Sequence, residues 1–339
     1  MITKNRFIKY LIYALGEIIL IIIGILIALS LNQKSNEQEK KQAFANALSQ
    51  VYTNLHKERG WYEFLIAGYQ RSTELAQLEL QGELNLTDED IPKYIYYFNS
   101  IDIADFDLGN DPLLNTLQEN ITSNQQRNLV NKISGHYALW DSWNDVITKS
   151  RISFLDELVS KHNLPFTERY TLLTITNIHG TEKRFSKDEI NKAKDIRSDS
   201  AYPIAIKSSI NRNLDLIGRF KIKLRTIKSL ISIIQASYPQ VSLSFDNIII
   251  SGSAVEVTGN EELMLQPVNN RKTEWRGTFE LGEGVFTITD MGYRLPSWGK
   301  SLTDKGRLLF NGFSIPAEKG TYEISVDFSD MKYSLNKIQ

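Results

Sequence analysis

The chain has 339 residues, with 39 Lys and Arg against 40 Asp and Glu, for a formal net charge of −1. That balance supplies no basic field to draw nucleic acid. Cys is absent, which excludes a disulfide framework, a thiolate zinc site, a cysteine nucleophile and a lipid-modified cysteine.

The first element in chain order is an apolar run over residues 10–31, YLIYALGEIILIIIGILIALSL. About 20 apolar residues cross a bilayer core as a helix, and a cleaved signal peptide has a shorter apolar region. The run therefore predicts a transmembrane helix that is retained. Lys4, Arg6 and Lys9 precede it with no acid among them, whereas Lys34, Lys40 and Lys41 follow it interleaved with Glu37 and Glu39. By the positive-inside rule residues 1–9 are expected in the cytoplasm and the remainder in the periplasm, with the cytoplasmic membrane as the address. Glu17 is the one ionisable residue in the run. It either faces a membrane partner or reaches the headgroups at the cytoplasmic end.

From Gln42 the apolar residues Phe44, Leu48, Val51, Leu55, Tyr62, Leu65, Ile66 and Tyr69 recur in three- and four-residue steps. This predicts a long amphipathic helix to about residue 80 that runs on from the membrane helix and stops at Gly82. Thr87 followed by Asp88, Glu89 and Asp90 reads as a second helix start, and Asp111-Pro112 as a third. Ser123 opens a helical run to about His162. Phe166 to Ile175 fits strand or helix. Ala201 to Ser237 predicts one more long helix. At Tyr238-Pro239 the period changes, and GSAVEVTGN, EELMLQPV, EWRGTFELG, VFTITDMG, GRLLFNG, GTYEISVDF and MKYSLNKI read as short strands between turns. The expected fold is therefore a multidomain α+β chain. It has a cytoplasmic tail (1–9), a transmembrane helix (10–31), an elongated extracytoplasmic helical bundle (32–237) and a C-terminal antiparallel, immunoglobulin-like β-sandwich (238–339).

Two stretches resemble known families. GEIILIIIGILIAL, with DPLLNTLQENITSNQQRNLVNKISGHYALWDSW, resembles the anchor and helical region of a bacterial single-pass envelope family of unknown function. Residues about 246–338 resemble the β-sandwich modules of Sus-type starch-binding outer-membrane lipoproteins. Gly252-Ser253-Ala254, Trp275, Trp298-Gly299, Gly320, Tyr322, Ile324 and Asp327 carry this second likeness. The family's early Trp is replaced by Val255-Glu256-Val257, and its anchoring Cys is missing. The likeness implies a sandwich fold and raises α-glucan binding.

No catalytic constellation stands out. His56, His136, His162 and His179 lack the spacing of a helical zinc site, so neither a metal nor a cofactor is expected. Asp102, Asp105, Asp107 and Asp111 miss the calcium-loop pattern and read as solvated loop acids. Ser329-x-x-Lys332 lies in a strand hairpin rather than at a helix start. Among the aromatics, Trp298 in RLPSWGK is either exposed or folded back to plug the sandwich. If exposed, it forms a sugar-stacking face with Tyr293, Arg294 and Lys300. The expected function is a non-catalytic structural or interaction module of the envelope, held in the lipid bilayer and meeting a protein partner. Glycan binding by the sandwich is one alternative, and a sensor input acting through a partner membrane helix is another.

Overall fold

The structure, a computed structural model, describes residues 4–99, 110–149, 154–164, 185–243, 245, 247–270, 272–290, 297–301, 305–310, 312 and 314–339. Phe166 to Ile175, Asp102, Asp105, Asp107, His179, Tyr293 and Arg294, all named above, lie outside these residues.

The first element is a single α-helix, α1, Lys4–Gln81, 78 residues without a break. It begins with the apolar run, whose residues Leu15 to Leu31 are exposed with no protein cover. It is the one described helix long and apolar enough to cross a membrane. It ends where expected. Gly82 takes φ +73, its N–H donates to the Glu79 carbonyl, and the Glu83 N–H donates to that of Leu78. This is a Schellman cap, which requires a left-handed residue after the last turn.

Six further helices of eight residues or more follow among the described residues. They are α2 (Ile91–Asn99), α3 (Asn110–Glu119), α4 (Asn124–Lys149), α5 (Phe154–Lys161), α6 (Lys187–Ser198) and α7 (Tyr202–Ser237). The start of α4 is built as a capping box. Ser123 Oγ accepts from the Gln126 N–H, and Gln126 Oε1 accepts from the Ser123 N–H. The start of α6 repeats the device with Ser186 and Glu189. This helix is missing from the sequence reading, although Ser-Lys-Asp-Glu over 186–189 is its signature.

Strands begin after α7. One antiparallel sheet has the order β2-β1-β5-β6-β7, with β8 also paired to β5. Its strands are β1 (Ile248–Ser251), β2 (Glu262–Met264), β5 (Gly284–Asp290), β6 (Ser297–Lys300), β7 (Leu308–Phe310) and β8 (Ile315–Ala317). The second has the order β10-β9-β4-β3, formed by β3 (Gln266–Pro267), β4 (Glu274–Leu281), β9 (Gly320–Asp327) and β10 (Lys332–Lys337). Along β9, Tyr322, Ile324 and Val326 are buried and the residues between them half-buried, the period-two pattern of a sheet with one covered face. Two expected strands differ. Ser253–Glu256, within GSAVEVTGN, forms one helical turn. Val241, Leu243 and Phe245 alternate into the core as expected but carry no ladder of their own. The helical turn follows from its surroundings. Gly252 takes φ +134 with its Cα pressed on the Val285 backbone, and Ser253 Oγ accepts from the Val285 N–H at 3.1 Å.

The chain forms two compact units, residues 1–48 with 110–131, and residues 49–109 with 132–339. In the first, Phe44, Ala47, Leu48, Leu114, Leu117, Leu129 and Val130 are buried. In the second, the lower half of α1 carries the core. Tyr62 and Tyr69 pack on Phe220 of α7 with ring centroids 5.5 and 5.9 Å apart. The Tyr97 hydroxyl of α2 donates to the Gly68 carbonyl of α1. Both sheets belong to this same unit.

Candidate functional site

A helix lying on a core leaves one polar face in water. The α1 segment Val51 to Ile66 does not. Every residue from Val51 to Glu58 is buried, and so are Gly60, Trp61, Tyr62, Phe64, Leu65 and Ile66. The sequence expectation of an amphipathic helix is corrected here. Burial on all sides takes in three consecutive ionisable residues, His56, Lys57 and Glu58, each 3% exposed. A buried charge requires a partner, and the three neighbours point to different ones.

Lys57 points at the sheets. Its Nζ lies 2.9 Å from Asp290 Oδ2, at the end of β5, with side-chain exposures of 3% and 5%. The same ammonium sits 5.4 Å from the centroid of the Phe245 ring. Phe245 belongs to an aromatic cluster with Trp298 and Phe328, at centroid separations of 5.6 Å to Trp298 and 4.6 Å to Phe328. Trp298 and Phe328 are 4.8 Å apart and T-shaped.

Glu58 points at α4. Its Oε2 lies 3.1 Å from His136 Nε2, both side chains being 3% exposed or less. The neighbouring Tyr137 phenol has its pKa pushed well above the ordinary value, by burial first and by the Glu58 carboxylate next. Lys223 of α7 lies over that ring, 5.7 Å from its centroid.

His56 lies against Tyr52, edge-on at 4.6 Å; among the described residues no side chain bonds its ring nitrogens, and only the Phe328 backbone interacts with the imidazole as a hydrogen-bond partner. Its pKa is lowered to about 3, by burial first and the Arg59 guanidinium second, opposed to a lesser extent by the Phe328 backbone. One turn further on, Glu63 ties the segment outward, 2.8 Å from Lys228 of α7 and 3.6 Å from Arg307 beside β7.

The arrangement is a seam of paired charges that locks one helix to helices and sheets at once. Among the described residues no group of three or more His, Asp or Glu is placed to hold a metal ion.

The residues singled out in the sequence fall elsewhere or take other roles. Trp298 is 2% exposed and part of the aromatic cluster, so neither face of its indole is open to a sugar. This corrects the exposed reading in favour of the plug. Lys300 is half-buried at the end of β6. Trp275 and Tyr322 are core residues as well, with Trp275 Nε1 donating to the Lys272 carbonyl at 2.8 Å. Glu17 is exposed on α1 within the apolar run. His162 bonds Asp199 at 3.0 Å, far in sequence from His56 and His136. Ser329 Oγ donates to Asp327 Oδ1 while Lys332 reaches Asp330, so the Ser-x-x-Lys pair is not joined. What the sequence reading missed is the seam itself. The signal available was four adjacent ionisable residues, His56 to Arg59, flanked by large apolar residues on the same helix.

No protein-family model matches the chain, and no curated protein and no solved structure matches it either.

Proposed function

We infer that the chain is a single-pass, membrane-anchored envelope protein that works without catalysis, as an interaction module facing the periplasm. The observation that carries this reading is the continuity of α1. One helix contains both the apolar run and the ion-paired segment, so whatever holds the run also holds the helix on which the sheets are latched. The two antiparallel sheets are the ingredients of an immunoglobulin-like sandwich, a fold often used for docking. The placement of the termini rests on Lys4, Arg6 and Lys9. A reporter active only in the periplasm, fused after residue 339, is expected to be active; an inactive fusion reverses the orientation.

Continuity of α1 also favours a second reading, a sensor input that moves a partner membrane helix through Glu17. A carboxylate in an apolar span is costly unless it is paired, and Glu17 lies on the same helix as the seam. Replacing Glu17 by Leu is expected to abolish co-purification with such a partner from detergent-solubilised membranes; unaltered co-purification rejects this second reading. The glycan alternative drawn on Trp298 lacks its stacking surface.

A further inference from the structure

The seam contains a buried histidine that the anchoring reading does not use. Within one turn of α1 stand His56, Lys57 and Arg59; Asp290 of the sheets pairs with Lys57, and the Arg59 guanidinium acts on His56. Among the described residues, three groups act on His56. On its own helix they are Tyr52, edge-on at 4.6 Å, and Arg59. From the strand region it is the Phe328 backbone, whose hydrogen-bonding interaction favours the charged ring; the Asp290 carboxylate is engaged by Lys57. From α7, Gln235 Nε2 donates to the Tyr52 hydroxyl at 2.9 Å. None of these offers the imidazole a carboxylate partner. Glu58, one residue along, is turned to His136 of α4 instead.

We propose that this seam is an acid-sensitive latch: protonation of His56 places a second cation beside the Arg59 guanidinium in a buried site and releases α1 from the sheets. In the closed seam the imidazole is dry and neutral. Once α1 separates, the ring is hydrated and takes a proton in the ordinary histidine range. The sign follows from that difference. The folded pKa, about 3, lies below the ordinary 6.5. The closed state is therefore fully favoured above about pH 6.5 and loses ground as the pH falls towards 3, by tenfold per pH unit. Between pH 7.5 and 5.0 the open-to-closed ratio rises about 30-fold. This rests on the geometry of the seam and not on the membrane reading.

The test is hydrogen exchange on the full chain in detergent micelles, with rates corrected for their intrinsic pH dependence. In the wild type, opening of the amides in residues 51–66 is expected to rise about 30-fold from pH 7.5 to 5.0. His56→Gln and His56→Phe keep a neutral side chain at both values, so their rise is expected to fall below about threefold. His162→Gln, at a half-buried histidine paired with Asp199, is expected to keep the whole rise. A wild-type segment that changes by less than about threefold overturns the proposal. So does a His56 variant that retains the full rise, since another group then carries it.

Discussion

Lys57 and Asp290 are 233 residues apart in sequence and 2.9 Å apart in space, each almost wholly shielded from water. This pair, together with Glu58 and His136, fixes which way round α1 sits among its neighbours. A buried pair adds little net stability over apolar residues of the same size, but losing one member strands the other in a dry site.

Replacement of one partner is therefore expected to cost far more than replacement of both. Lys57→Met or Asp290→Leu alone should destabilise the chain by about 3–5 kcal/mol, and the double variant should recover most of that loss. Denaturant unfolding of the full chain in detergent measures it. Single variants that each cost less than about 1 kcal/mol would show the pair to be solvated.

Trp298 is expected to behave as a core residue. Trp298→Ala removes a buried indole from the cluster with Phe245 and Phe328 and should cost about 3–5 kcal/mol, with Trp298→Phe costing less. Retention of the wild type on an α-glucan column, lost in a Trp298→Phe chain that remains folded, would contradict this assignment.

The glycines separate conformation from crowding. Gly82 takes φ +73 with open space where a Cβ would lie, so Gly82→Ala should cost about 1 kcal/mol. Gly252 takes φ +134, and its Cβ would lie 2.6 Å from the Val285 carbonyl oxygen. Gly252→Ala must strain the backbone and move β5, so it should be the more damaging of the two by thermal unfolding. The reverse order would place the helical turn at residues 253–256 away from β5.

Ser186→Ala should remove about 1 kcal/mol from α6, because the Glu189 N–H then loses its acceptor. Faster amide exchange confined to the first turn of α6 is the expected signature.

Local chemistry made much of the helical framework legible in advance. Gly82 and Ser123 each mark a boundary found in the structure, α3 starts at Asn110, two residues before the expected first helical position at Pro112, and α7 starts one residue after its expected position. These signals are local, since a cap or a φ > 0 residue acts within one turn. The seam was not legible, because a buried Lys and a solvated Lys look alike until a carboxylate 233 residues away is brought to it. Trp298 failed in the same way: its neighbours Phe245 and Phe328 are distant in sequence, so the loop composition around it suggested exposure. GSAVEVTGN turned helical because Gly252 and Ser253 are pinned to Val285, another contact that periodicity does not report.

The proposed anchoring role of α1 requires that its apolar run stay attached to the buried segment of the same helix. Intact mass of the protein recovered from cell membranes after alkaline extraction tests this most directly. The expected result is a membrane-held species that retains residues 1–31, at 38.8 kDa. A soluble species that begins after Ser30 would contradict it, because the run would then be a signal peptide and the buried seam would belong to a free protein.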